Sequence, residues 1–182
     1  MIVCEVREPG GTAIGEQIRS ILLDPANAEM AVRTEMLLYM ASRAQLVSER
    51  IVPALRQGQL VLADRFISST LAYQGTAGGL PLEDIRRVGA IVCQEARPDV
   101  TVIFDVDEAT AASRLNPLLD RMEAKGAEFH RRVREGFLSQ AREDPDDYVV
   151  VDARPSADVV FERLLTALRS FFSDPSAGGR EG

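Results

Sequence analysis

The chain has 182 residues, of which 46% are hydrophobic, and its formal net charge is −7. This composition suffices for one domain with a hydrophobic core. No apolar run reaches the roughly 18 residues of a membrane span, and the N-terminus lacks the basic and apolar regions of a signal peptide. The negative charge argues against a nucleic-acid polymer as partner, because its phosphates would repel the chain, although a nucleotide needs only a few local cations.

The two cysteines indicate the compartment. Cys4 and Cys93 are far apart in sequence and fit no metal-ligand spacing. We interpret them as free thiols in a reducing environment, which places the chain in the cytoplasm without a membrane partner.

The first predicted elements are a strand, a sharp turn and a helix. Residues 1–6 form a short, apolar, β-branched segment that is typical of a strand. Pro9 and the two glycines that follow it predict a sharp turn. Thr12 is a suitable N-cap for a helix over residues 13–23.

A long helix is predicted next, over residues 31–57. Pro53 is expected to kink it, because proline lacks the backbone N–H of a regular helix, and Gly58 is expected to cap its C-terminus. The later elements are predicted in chain order as a strand at 59–63, a helical turn at 70–74, a helix at 82–95, a strand at 100–106, helices at 108–114 and 121–141, a strand at 148–151 and a helix at 157–172.

Strands alternate with helices in this pattern, which favours an α/β fold with a parallel sheet covered on both faces. The strand at 100–106 is apolar on both faces, as expected for a buried strand. We find no internal repeat. The pattern predicts a single domain over residues 1–172 and a small, polar, disordered tail over 173–182.

The ends of two predicted strands carry similar side chains. Arg7 and Glu8 follow the first strand, and Asp64 and Arg65 end the second. Ligands of open parallel sheets bind at the carboxyl ends of the strands. An arginine beside an acid suits a phosphate group with a magnesium ion nearby. Surface ion pairs or ordinary turns are the alternative interpretation.

Tyr39 and Arg43 are four residues apart in the long predicted helix and therefore share one of its faces. The tyrosine ring could stack on a nucleobase while the guanidinium bonds to the base edge. The alternative is a packed tyrosine beside a solvated arginine.

A predicted loop carries Arg114 and Arg121 on either side of Asn116 and Pro117. A basic loop could close over phosphates and neutralise charge during a transfer reaction. Ordinary exposed charge is the alternative. His130 lies in a predicted helix beside two arginines, and we interpret it as a surface residue without a catalytic role.

Seven longer motifs are more specific than any of these clusters. In chain order they are REPGGT at 7–12, EQIRSILLD at 16–24, LLYMASRAQLV at 37–47, LADRFISSTLAYQG at 62–75, ARPDVTVIFDV at 96–106, LDRMEAKGAEFHRRVREGF at 119–137 and YVVVDA at 148–153. Together they resemble bacterial thymidylate kinases over about residues 5–170. AYQG after DRF, with REPGGT upstream, is typical of dTMP kinases rather than of other nucleoside monophosphate kinases.

This resemblance implies a three-layer, P-loop NTPase-like α/β fold, with helices on both faces of a parallel sheet. It implies transfer of the γ-phosphate of ATP to dTMP, giving dTDP for dTTP synthesis, with Mg²⁺ as cofactor. It also implies a cytoplasmic homodimer.

Several roles follow for residues at matching positions. Arg19 matches an arginine that binds the dTMP phosphate, Tyr39 matches the aromatic residue that stacks on thymine, and Arg43 matches the arginine that bonds to the base edge. Arg65 matches a phosphate-binding arginine near the transferred group. Asp64 is expected to act in the magnesium environment as an indirect ligand.

Further positions complete the substrate site that the resemblance implies. Ser69 and Tyr73 match positions that line the base and the sugar, where the tyrosine is expected to disfavour a ribose hydroxyl. Gln74 lies beside them, and Arg7 joins the substrate-binding set through REPGGT.

The resemblance also implies a lid over about residues 113–126. Arg114 and Arg121 fall in this segment. The residues expected to be catalytic are Arg65, Asp64, Arg114 and Arg121.

The sequence departs from the family in one respect. The family begins with a strand, a G-x-x-x-x-G-K-[ST] loop and a helix, and no such loop occurs in these 182 residues, whose only lysine is Lys125. That loop binds the ATP phosphates and the magnesium ion. We therefore expect little kinase activity from the chain as written, and a preceding strand–loop–helix unit of roughly 30–40 residues.

The same departure affects the expected sheet. The family strand order is 2-3-1-4-5, so the strand that precedes the loop is central. Without it, two neighbouring strands have unpaired edges.

Two other interpretations stay open. The chain could be a non-catalytic homologue that binds a deoxynucleotide, or a kinase for another nucleoside monophosphate. An in-frame loop motif upstream of Met1 would favour the enzyme, and a comparison of acceptors would identify the substrate.

Overall fold

Among the described residues, four parallel strands form two pairs. The computed structural model describes residues 1–94, 96–114 and 121–173. Strand β1 (Val3–Arg7) pairs with β2 (Leu60–Asp64), and β3 (Thr101–Asp105) pairs with β4 (Tyr148–Asp152). Val3 lies opposite Leu60 and Thr101 opposite Tyr148, so each pair is in register from end to end. The predicted parallel α/β arrangement is confirmed.

Helices connect the strands, as parallel strands require. They are α1 (Ala13–Leu23), α2 (Val32–Leu46), α3 (Val52–Arg56), α4 (Ile67–Thr70), α5 (Leu82–Cys93), α6 (Glu108–Arg114), α7 (Ala127–Glu143) and α8 (Ala157–Ser173). Short 3₁₀ turns occupy Pro25–Asn27 and Glu123–Lys125, and π turns occupy Val47–Ile51 and Leu71–Ala77. Residues 115–120 of the predicted lid and 174–182 of the predicted tail lie outside the described residues.

The turn after β1 and the start of α1 follow the sequence prediction. Gly10 and Gly11 have φ angles of 123° and 80°, which only glycine adopts without strain. Thr12 is the N-cap of α1, where its hydroxyl oxygen accepts a hydrogen bond from the Gly15 backbone N–H at 3.0 Å. The turn therefore places α1 directly after the carboxyl end of β1.

The long predicted helix over 31–57 is one helical run with a wider turn inside it. The π turn Val47–Ile51 separates α2 from α3, and Pro53 lies in the first turn of α3. Proline has no backbone N–H to bond to the preceding turn, so the irregular turn accommodates it. Gly58, with φ of 68°, follows the helix as predicted.

The predicted helix at 121–141 begins later than expected. Its first regular residue is Ala127, because Gly126 has φ of 84°, a conformation that no regular helix contains. Residues Glu123–Lys125 form a separate 3₁₀ turn before it. The helical turn predicted at 70–74 is also part of a longer run, in which α4 continues into a π turn.

One hydrophobic cluster of the core lies on one face of the β1–β2 pair. Cys4, Val6 and Val61 pack there against the end of α2 and the π turn that follows it. The buried members of this cluster are Val6, Leu46, Val47, Ile51, Phe66, Cys93 and Ala96. Burial of each large apolar side chain stabilises the fold by roughly 1.5–3 kcal/mol.

The opposite face of β1–β2 is not covered as predicted. Leu60 and Leu62 lie on either side of the half-buried Val61, and Leu62 retains 60% exposure. Phe104 in β3, predicted to be buried, retains 50%. No strand among the described residues joins β2 to β3. Leu60, Leu62 and Phe104 therefore have the apolar character of buried strand residues, but no described element covers them.

Helix α7 joins β4 to the helical segment that follows β2. The Gln140 side-chain amide donates a hydrogen bond to the Ser68 carbonyl in α4 at 3.2 Å. The Tyr148 hydroxyl of β4 donates to Gln140 Oε1 at 3.0 Å. Within the described ranges, none of the helices combines the length and the apolar character that crossing a bilayer requires.

Candidate nucleotide site

A cavity of about 250 Å³ lies where the turn after β1, helix α2 and the π turn after α4 meet. Its walls include Arg19 from α1 and Tyr39 and Arg43 from α2. The segment after β2 supplies the remaining predicted residues. Seven predicted site residues line the cavity: Arg19, Tyr39, Arg43, Arg65, Ser69, Tyr73 and Gln74.

Arg43 is the most deeply buried cation of this site, with 1% of its surface exposed. Its Nε donates to both carboxylate oxygens of Glu8 at 2.9 and 3.0 Å, and its Nη2 donates to Glu8 Oε2 at 2.6 Å. Nη2 also donates to the Thr70 hydroxyl at 3.1 Å. The guanidinium lies over the Phe66 ring, 5.2 Å from its centroid. These contacts fix one orientation of the guanidinium at the cavity wall.

The Glu8 carboxylate is buried with its partner. Burial raises the pKa of Glu8, and the charge and hydrogen bonds of Arg43 oppose that rise without cancelling it. A buried pair of this kind stabilises one geometry more than it stabilises the fold, because both charges lose their hydration.

Tyr39 shares its helix face with Arg43, as the spacing predicts. Burial, and after it the charge of Glu35, raises the pKa of the Tyr39 hydroxyl far above its ordinary value. The ring therefore stays neutral at all physiological pH values. It offers the cavity an aromatic surface with a protonated hydroxyl.

Two further arginines bring positive charge to the cavity. Arg19 Nη1 donates a hydrogen bond to the Pro9 carbonyl oxygen at 2.9 Å. Arg65 has a backbone φ of 66°, which is uncommon for a residue with a side chain. Its guanidinium lies over the Tyr73 ring, 5.3 Å from the centroid. Together these cations favour an anionic ligand.

Tyr73 is held by aromatic packing from α7. Its ring centroid is 6.1 Å from that of Phe129 and 6.3 Å from that of Phe137, both in edge-on geometry. Ser69 is one helical turn before it and also lines the cavity. This wall is therefore rigid and carries hydroxyl groups.

Arg7 and Asp64 lie outside the cavity lining. Arg7 Nη2 donates to Glu16 Oε1 at 2.8 Å, and Nη1 donates to the Pro9 carbonyl at 3.2 Å. Asp64 is exposed at the end of β2, and its backbone carbonyl accepts a hydrogen bond from the Glu8 N–H at 3.0 Å. Both residues are near the turn that shapes the cavity.

Arg114 and Arg121 have different surroundings. Arg114 donates to the carbonyls of Ala153 and Arg154 at 2.8 Å, in the loop after β4. Arg121 is buried, where its Nε donates to the Leu22 carbonyl at 2.7 Å and its Nη1 lies 2.6 Å from Glu35 Oε2. In this arrangement Arg114 contacts the loop after β4, and Arg121 joins the segment before α7 to α1 and α2.

Comparisons with known proteins agree on one family. A family model for thymidylate kinase matches residues 1–164. The thymidylate kinase of Desulforudis audaxviator is 44% identical over 182 residues, 99% of this chain and 82% of that protein. That of Symbiobacterium thermophilum is 48% identical over 155 residues, 85% of this chain and 72% of that protein. The chain belongs to the thymidylate kinase family.

A solved structure supports the fold of this thymidylate kinase family member. The crystal structure of thymidylate kinase from Ehrlichia chaffeensis matches it with a TM-score of 0.73 and 31% sequence identity. The match covers 92% of this chain and 80% of that one. The parallel strands and flanking helices described above are thus shared with a solved thymidylate kinase.

A sequence motif that binds donor phosphates in P-loop proteins does not occur in this chain. The 182 residues contain no G-x-x-x-x-G-K-[ST] loop. Lys125, the only lysine, bonds to Glu35. In the part of the chain that the structure describes, no three His, Cys, Asp or Glu side chains group as a metal site.

Sequence reasoning did not assign His130 and Glu35 to the site, and of the cavity lining it also left out Glu8, Pro9, Leu23, Thr70, Met122 and Glu123. His130, interpreted as a surface residue, lines the cavity, and its Nε2 lies 3.1 Å from the Glu123 carbonyl oxygen. His130 lies three residues before the buried Val133, and this spacing indicates that both side chains share the inner face of the helix. Glu35 contacts Gln74 and lies four residues before Tyr39 on α2. The four-residue spacing that groups Tyr39 with Arg43 on one helix face therefore also includes Glu35.

Proposed function

We propose that this chain acts as a thymidylate kinase, which transfers the γ-phosphate of ATP to dTMP, and that its cavity holds dTMP. The observation that carries the proposal is the meeting of an aromatic ring, a fixed guanidinium and two further arginines around one cavity. A nucleoside monophosphate needs these three surfaces for its base, base edge and phosphate. Family membership identifies the substrate class.

The base would lie against Tyr39, with its edge toward Arg43 and Gln74. Arg43 has two of its nitrogens engaged by Glu8, so its orientation is set before a ligand arrives. A donor that is fixed in advance loses little conformational entropy on binding. The Tyr73 ring, packed against Phe129, would limit the space beside the sugar and disfavour a ribose hydroxyl.

The phosphate would lie between Arg19 and Arg65. Both line the cavity, and arginine binds phosphate oxygens through paired N–H donors. Arg65 would also orient the acceptor oxygen toward the donor phosphate, with Asp64 beside it as an indirect ligand of Mg²⁺. We retain Arg7, Arg114 and Arg121 as proposed contributors, with Arg114 and Arg121 acting through the lid.

ATP with Mg²⁺ is proposed as the phosphate donor on the strength of family membership. The 182 residues contain no G-x-x-x-x-G-K-[ST] loop. Because such a loop binds the donor phosphates, residues 1–182 would bind dTMP and transfer little phosphate.

A homodimer in the cytoplasm is part of the proposal. Ile14 and Ile21 are seven residues apart on α1 and both exposed, and Leu37 on the adjacent α2 is 51% exposed. Apolar side chains on two packed helices would suit a subunit interface.

An acceptor comparison tests the function. Binding and phosphorylation of dTMP, dUMP and thymidine by the chain would be measured with ATP and Mg²⁺. Preferred phosphorylation of dTMP supports a thymidylate kinase. Binding of dTMP without any transfer would favour a non-catalytic homologue, and preference for dUMP would identify another kinase.

A further inference from the structure

Glu35 is a fully buried carboxylate, 0% exposed, in the first turn of α2. It accepts hydrogen bonds from three side chains of two other segments. Gln74 Nε2 lies 2.7 Å from Oε1, Lys125 Nζ lies 2.9 Å from both oxygens, and Arg121 Nη1 lies 2.6 Å from Oε2. None of the roles assigned above uses this carboxylate.

The contact with Glu35 determines how the Gln74 amide is turned. An ionised carboxylate only accepts hydrogen bonds, so the amide group of Gln74 must present its NH₂ to Glu35. Burial raises the pKa of Glu35, but the bonds from Lys125, Gln74 and Arg121 outweigh that effect and keep the carboxyl ionised. The carbonyl oxygen of Gln74 therefore faces away from Glu35, and Gln74 lines the cavity.

An acceptor at this position distinguishes pyrimidine bases. Thymine and uracil carry N–H at N3, which donates to a carbonyl oxygen. Cytosine has an unprotonated N3, which accepts and would meet the Gln74 oxygen as a second acceptor. A site built to receive a hydrogen bond rejects a ligand that leaves its polar group unpaired.

Arg121 and Lys125 also hold the Glu35 carboxylate in place. Arg121 and Lys125 belong to the segment that also carries Met122 and Glu123, which line the cavity. Lys125 in addition lies over the Phe129 ring, 4.8 Å from its centroid. Glu35 thus joins one wall of the cavity to α2 and cannot turn away from Gln74 without leaving two buried or half-buried cations unpaired.

We propose that Glu35 is a positioning residue that holds Gln74 as a hydrogen-bond acceptor and thereby selects pyrimidine nucleotides with an N3–H over cytosine nucleotides. This inference rests on the proposed function, because it takes the cavity to be the dTMP site. It adds a residue that touches no ligand and yet determines which base is accepted.

The test is a comparison of base discrimination in Glu35→Gln and in the unchanged chain. In the variant, the new amide can donate to Gln74, so Gln74 can present its NH₂ to the cavity. Calorimetry with dTMP and dCMP is expected to show that the dTMP-to-dCMP affinity ratio falls about tenfold, the scale of one mispaired hydrogen bond. Glu83→Gln is the matched control, because it makes the same change in an exposed carboxylate that pairs with Arg87 on α5 outside the cavity, and its ratio is expected to stay unchanged.

Each outcome decides the inference. A ratio that falls in Glu35→Gln and not in Glu83→Gln supports it, whereas a folded Glu35→Gln variant with an unchanged ratio overturns it. If Glu35→Gln does not fold by circular dichroism, Glu35→Asp replaces it, since the shorter side chain keeps the charge but draws back from Gln74, and the same fall or constancy of the ratio decides. Failure of the unchanged chain to bind dTMP would instead refute the proposed function, and the inference with it.

Discussion

Glu8 and Arg43 are 35 residues apart in sequence and form a buried ion pair, with Arg43 Nη2 2.6 Å from Glu8 Oε2. Glu8 belongs to the turn after β1, and Arg43 belongs to α2. The pair connects the carboxyl end of a strand to the helix that carries the proposed base-binding face. It therefore couples the geometry of the fold to that of the site.

Replacing Glu8 by glutamine is expected to destabilise the fold by about 3–5 kcal/mol, because the charge of Arg43 would stay buried without a counter-charge. Urea denaturation measures this change. Glu83→Gln is the control, since Glu83 forms an exposed pair with Arg87 one helical turn away, worth about 0.3–0.5 kcal/mol. A Glu8→Gln variant as stable as this control would show that the pair has no structural role.

The two buried glutamates are expected to titrate on opposite sides of the ordinary value of 4.5. Burial raises the pKa of Glu8 above that value, and the partners of Glu35 outweigh its burial and lower the pKa of Glu35 below it. Carboxyl carbon NMR over pH 3–7 measures both. Titration of Glu35 above Glu8 would contradict the described geometry.

Stability should depend on pH through Glu35 with a definite sign. Its pKa is lower in the folded chain than in the unfolded one, so its contribution is present above about pH 4.5 and is lost as the pH falls through the folded value. The difference in free energy of unfolding between the unchanged chain and Glu35→Gln should therefore shrink between pH 7 and pH 3. A difference that is constant over this range would refute the assignment.

Removal of Arg65 is expected to weaken dTMP binding about 10- to 100-fold and to leave thymidine binding nearly unchanged, because a charge-assisted bond to the phosphate would be lost. Calorimetry on Arg65→Ala with both ligands measures this. Arg87→Ala, an exposed arginine on α5 outside the cavity, is the control. An equal loss for dTMP and thymidine would place Arg65 away from the phosphate.

Tyr73→Phe is expected to keep the packing against Phe129 and Phe137 and to keep the preference for a deoxyribose over a ribose nucleotide, because the ring limits the space beside the sugar. The ring contacts involve no hydroxyl, so stability should change by less than about 1 kcal/mol. Binding of dTMP and of its ribose counterpart gives the preference. Loss of the preference in this variant would assign the selection to the Tyr73 hydroxyl and contradict the role of the ring.

The sequence predicted the elements and their connection well, because alternating strands and helices admit few arrangements and Thr12, Gly58 and Pro53 act locally. It predicted the shared face of Tyr39 and Arg43 for the same reason, since spacing on a helix is fixed. It could not predict the partners that these side chains take. The contacts of Arg121 with Leu22 and Glu35 depend on the tertiary fold, which brings together residues 99 positions apart.

The exposure of Phe104 shows a second limit of prediction from the sequence. Its apolar, β-branched surroundings are typical of a buried strand, yet burial also requires a neighbour on that face. The local sequence pattern identifies a strand, but it does not show whether a helix or another strand covers its face.

Calorimetric binding of dTMP to the 182-residue chain, with dUMP as comparison, tests the central claim most directly. The account predicts saturable binding of one dTMP per chain, about tenfold tighter than dUMP because the 5-methyl group fills apolar space beside the base. A soluble, folded chain that binds neither nucleotide, or binds both equally, would contradict the assignment of this cavity to thymidylate.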